Sequence, residues 1–83
     1  MPVPAISGSQ LMELLELDGW TRGRRTNHGV FFSKQFPGER IPRSTVIPDK
    51  PGSLPAGTLG AILGVKQTGL GRGGLQDLIN RYR

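Results

Sequence analysis

The only histidine of this chain, His28, follows Arg22, Arg24 and Arg25 and precedes Lys34. Imidazole titrates near neutrality, so it can take or give a proton under physiological conditions. Guanidinium stays charged and presents a fork that grips two phosphate oxygens at once. Proton transfer beside fixed positive charge is what phosphodiester cleavage asks for, and RNA brings its own nucleophile, the 2′-hydroxyl. For that chemistry no metal and no cofactor is expected. His28 is then the candidate catalytic group, with Arg22, Arg24, Arg25 and Lys34 as the candidate RNA-binding set. The complementary proton carrier is open among Tyr82, Asp49 and Glu39. The plainer alternative, a task-free surface histidine on a solvated basic strand, is the commoner case for an arbitrary domain.

These residues need a scaffold, and 83 residues supply one domain whose single core must use most of its apolar side chains. Glycine (13) and proline (7) are abundant, but they fall mainly between patterned segments, where turns and caps use them. Cysteine is absent and the one histidine has no cluster of carboxylates near it, so neither disulfides nor a zinc site are expected. No apolar run reaches membrane-spanning length and no secretory leader pattern opens the chain, which makes the cytoplasm the expected location. Net charge is +5, and all eleven basic residues lie after Gly19 with only three of the six acidic ones. Such a surface favours nucleic acid or an acidic partner, or serves solubility alone.

In chain order, residues 1–6 form a lead-in. Ser7 is a natural N-cap, with Gln10 three residues on to close a capping box and Ile6 and Leu11 placed as a hydrophobic staple. Leu11, Leu14 and Leu15 make the apolar stripe of a first helix that Gly19 ends. Residues 20–25 read as a first strand, Thr26-Asn27 as a turn with Asn27 in the left-handed conformation, and residues 28–34 as a second strand. Alternation would place His28, Val30, Phe32 and Lys34 on one face, with Gly29, Phe31 and Ser33 on the other. Phe32 on the His28 face could stack on a base, although a core or partner contact is the more usual role. A third strand is expected over 43–47, a second helix over about 54–66 with Pro55 in its first turn, and a flexible stretch over 71–74. Leu75, Leu78, Ile79 and Tyr82 then fall at helical spacing, giving a short C-terminal helix. The predicted fold is α+β: an antiparallel three-stranded meander packed by helices on one face, in a single domain over 1–83 with residues 71–83 loosely attached.

That α-β-β-β-α order resembles the double-stranded-RNA-binding domain (dsRBD), and particular residues narrow the resemblance. Ser7-Gly8, Leu14-Leu15-Glu16-Leu17-Asp18-Gly19-Trp20, Asn27-His28-Gly29-Val30-Phe31, Val46-Ile47-Pro48, the run from Leu54-Pro55-Ala56-Gly57-Thr58 to Leu63, and Thr68-Gly69-Leu70 occur in the order found in HicA (YcfA-like) toxins. The match spans about positions 7 to 70. The resemblance implies a dsRBD-like fold, an mRNA-cleaving endoribonuclease (mRNA interferase) activity without metal, catalysis by His28, and neutralisation by a HicB-like antitoxin protein. Family members usually carry Gly-Ser-His-His before the second strand, where this chain has Thr26-Asn27-His28-Gly29. A non-catalytic RNA-binding module on the same scaffold is the alternative expectation.

Overall fold

The computed structural model describes residues 5–82. Helix α1 (Gly8–Leu17) starts as its sequence dictates: the Gln10 amide donates to Ser7 Oγ at 3.2 Å and the Ser7 amide donates to Gln10 Oε1 at 3.0 Å, closing the capping box. Ile6 and Leu11 are both buried, and Leu11, Met12, Leu14 and Leu15 turn inward. The chain leaves the helix through Gly19 at φ 94°.

Strands β1 (Thr21–Thr26), β2 (Gly29–Lys34) and β3 (Arg43–Ile47) form an antiparallel meander in the order β1-β2-β3. Val30 stands opposite Ile47 and Phe32 opposite Thr45; all four are buried beneath the helices. Phe31 and Val46 point to the other face, where Phe31 stays 37% exposed. The pairing of β1 with β2 shifts between Arg22 and Arg25. Arg22 opposes Phe32 and Arg25 opposes Val30, so Gly23 and Arg24 together stand opposite Phe31 in a β-bulge. The bulge puts Arg22 and Arg25, three apart in sequence, on the same face. Trp20, expected to open β1, instead precedes it as a core residue, its ring edge-on to Phe36 at 5.9 Å and its indole N–H without an acceptor among the described residues.

Helix α2 (Ala56–Leu63) is shorter than the expected 54–66. Pro55 caps it rather than entering its first turn, and Gly64 leaves it in extended conformation at ψ 165°. Beyond that point Thr68 holds the chain against the helix end, its hydroxyl donating to the Ile62 carbonyl at 2.7 Å. Helix α3 (Gly71–Tyr82) corrects two expectations at once. Residues 71–74, expected to be flexible, form its first turn, and the helix is not loosely attached over 71–82: Leu75 and Leu78 are buried in the common core. Glycine weakens a helix by about 1 kcal/mol relative to alanine. Burial of the two leucines, worth roughly 1.5–3 kcal/mol each, offsets that penalty. The architecture is α+β, with α1 and α2 packed against the sheet at β3 and α3 packed against both of those helices.

Candidate nucleic-acid interface

His28 sits at the tip of the β1–β2 hairpin, and the turn there differs from expectation. Thr26 pairs with Gly29, so Asn27 and His28 are the turn residues and β2 begins at Gly29. Asn27 does not take the left-handed conformation: every positive φ among the described residues belongs to a glycine, and at this turn it is Gly29, at 142°. The Thr26 hydroxyl explains the choice. It accepts from the His28 amide at 3.1 Å and donates to the Gly29 carbonyl at 3.1 Å, fixing the loop from inside and leaving glycine to absorb the unusual backbone. A side chain at position 29 would also overlap the Ile47 carbonyl and come within 2.9 Å of Pro48 Cα. His28 is therefore not on the strand face of Val30, Phe32 and Lys34; it projects from the turn, exposed, with no hydrogen bond to its imidazole among the described residues.

A shallow cleft of about 100 Å³ opens beside it, lined by Arg25 and residues 26–29 on the hairpin and by Asp49 and Lys50 beyond β3. Because Val30 pairs with Ile47, the chain leaving β3 passes the hairpin tip, which delivers Asp49 and Lys50 to His28. Arg25 Nη2 contacts Asp49 Oδ2 at 2.6 Å across the cleft. Of the three open proton carriers, Asp49 alone lines this cleft. Glu39 is held by Arg43 at 3.0 Å, and Tyr82 lines a separate groove with Gln10, Glu13, Leu14 and Leu17. Lys50 was not singled out from the sequence; the register of β2 on β3 was the signal that finds it.

The four candidate cations part company. Arg25 shares the cleft with His28. Arg24 is exposed on the bulge, with no hydrogen bond or ion pair among the described residues. Arg22 is turned to α1, where Nη2 meets Glu16 Oε1 at 2.9 Å, Nε donates to Glu16 Oε2 at 3.3 Å, and the guanidinium lies 5.2 Å from the Phe32 ring. The hydrogen bonds from Arg22 hold the Glu16 carboxyl below its ordinary value and in return raise Arg22 above its own. Lys34 is at the far end of the hairpin, paired with Arg43 across the sheet. Its ammonium donates to the Asp18 carbonyl at 2.6 Å, lies 3.5 Å from the Asp18 carboxylate and 5.1 Å from the Phe36 ring. It closes the negative end of α1 rather than serving the cleft. Phe32, considered as a stacking residue, is fully buried.

No group of three or more metal-binding side chains occurs among the described residues, and no helix there is long and apolar enough to cross a membrane. No family model, curated protein or solved structure matches this chain.

Proposed function

We propose that this chain is an endoribonuclease of the HicA toxin type on a dsRBD-like scaffold, cutting mRNA without metal and restrained by a HicB-like antitoxin. One observation carries the reading: the sole imidazole stands exposed and uncommitted at a hairpin tip, in a cleft that also holds Arg25, Lys50 and Asp49. Cleavage requires one group to remove the 2′-hydroxyl proton, as that oxygen attacks phosphorus, and another to protonate the departing 5′-oxygen. It also requires positive charge on the phosphate oxygens between them. In this reading His28 carries one proton, Asp49 is placed to carry or organise the other, and Arg25 and Lys50 hold the phosphate. The Arg25–Asp49 pair keeps the cleft neutral at that edge until a phosphate competes for the guanidinium. An acidic antitoxin covering the hairpin would block the same charges.

The uncommitted imidazole also favours a second reading, a non-catalytic RNA-binding module, because no acid or base among the described residues orients it through a hydrogen bond. Cleavage of a long single-stranded RNA in chelator, by wild type and His28→Ala, separates the two. The nuclease reading expects cleavage by wild type alone, with both proteins folded by circular dichroism and both binding RNA. Binding without cleavage by either leaves the module.

A further inference from the structure

The sheet has a second feature that the cleft does not use. Its helix-free face presents Phe31, an aromatic ring left 37% exposed while neighbouring Phe32 is fully buried. The ring is seated: a Cβ at Gly23, across the strand, would come within 2.8 Å of Phe31 Cδ1 and 3.1 Å of its carbonyl oxygen. Only a glycine there lets the ring rest on β1. The same bulge sets Arg24 opposite Phe31, and Arg24 holds no carboxylate among the described residues, unlike Arg22 and Arg25 on the other face. A seated aromatic with an uncommitted cation at its side is the pairing that binds single-stranded nucleic acid, the ring stacking on a base and the cation meeting the backbone.

We propose that Phe31 is a base-stacking platform for a single-stranded RNA segment that runs along the open face of the β1–β2 hairpin to the His28 cleft, with Arg24 on its phosphates. This rests on the RNA reading given above. Phe31 lies three residues beyond His28 in the chain. At about 3.3 Å per strand residue the ring is therefore roughly 10 Å from the tip, a span of about three stacked nucleotides. The charge of the open face favours RNA as the occupant: Arg24 there holds no carboxylate among the described residues. Every residue from Thr21 to Arg25 is exposed, three of the five are arginines, and the whole chain carries +5.

The test is equilibrium binding of a short fluorescein-labelled 2′-O-methyl oligoribonucleotide, which lacks the attacking hydroxyl and so reports binding alone. Phe31→Leu keeps an apolar cover over Gly23 but removes the π-face, and is expected to weaken binding roughly 5- to 100-fold with an unchanged salt slope. Phe31→Trp retains wild-type affinity or exceeds it. Arg24→Gln reduces the slope of log K against log salt by about 0.7. Should circular dichroism show Phe31→Leu unfolded, Phe31→Met, with a flexible side chain to cover Gly23, takes its place. Wild-type affinity in a folded Phe31→Leu or Phe31→Met protein overturns the platform alone and assigns the ring to a protein contact. Absence of oligonucleotide binding by wild type overturns the RNA reading, and the platform with it.

Discussion

Replacing Gly29 by alanine should damage this fold out of proportion to the one methyl group added. Its φ of 142° lies where an L side chain is strained, at about 1–3 kcal/mol. The new Cβ would overlap the Ile47 carbonyl oxygen and sit 2.6 Å from the carbonyl carbon. These are backbone atoms of the strand that pairs with Val30, so relief requires β2 and β3 to part at their tightest point; overpacking of this sort costs about 1–3 kcal/mol. Against this, alanine lowers the entropy of the unfolded chain by about 0.4–1 kcal/mol. The net loss is roughly 1–6 kcal/mol. A domain of 83 residues is stable by roughly 4–12 kcal/mol, so much of the total is at stake. Gly38 supplies the control: its φ is 83°, but nothing lies within 4 Å of its virtual Cβ, so alanine there feels the backbone term alone. Urea unfolding followed by circular dichroism should place the Gly29→Ala midpoint well below both wild type and Gly38→Ala. A midpoint equal to that of Gly38→Ala would refute the steric part of the reasoning.

Thr26→Val removes both hydrogen bonds that brace the turn and should cost about 1–2 kcal/mol in the same urea assay; an unchanged midpoint would mean that Gly29 alone shapes the loop. Leu75→Ala in α3 should lose about 2–5 kcal/mol, as a fully buried leucine does, whereas a loosely held helix would lose almost nothing. Acid titration should reveal the Glu16–Arg22 pair. Because the folded carboxyl of Glu16 lies below its ordinary value of 4.5, its contribution is complete above that value and disappears as pH falls through the lowered one. Glu16→Gln should therefore flatten the acid limb by lowering stability at neutral pH, and converge on wild type at low pH. A Glu16→Gln profile parallel to wild type throughout would show the pair to be inert.

Where local chemistry and tertiary packing agreed, the sequence was readable. Ser7, Gln10 and the Leu11, Leu14, Leu15 stripe announced α1, and the element order followed from alternation and turn residues. Position 28 drew attention because it holds the only histidine, and the fold leaves that side chain exposed at the hairpin tip. The errors trace to interactions that local patterns do not encode. Reading Thr26-Asn27 as the turn missed that the Thr26 hydroxyl braces an Asn27-His28 turn from the end of β1, which took His28 off the strand. The bulge at Gly23 and Arg24 split the arginines in a way simple alternation cannot give. The glycines at 71, 73 and 74 concealed a helix start whose support is the burial of Leu75 and Leu78 farther along. Lys34 looked like a phosphate ligand until the fold showed Asp18 within its reach.

The bulge in β1 also bears on what the protein does in a crowded solution. β1 is one of the two edge strands of the sheet, and its outward backbone groups are a template for another strand. At Gly23 and Arg24 the spacing of those groups is broken, and a second copy approaching edge to edge would set arginines against arginines. A feature that lets one ring lie on a glycine thus doubles as insulation, keeping this basic edge strand from pairing with its neighbours.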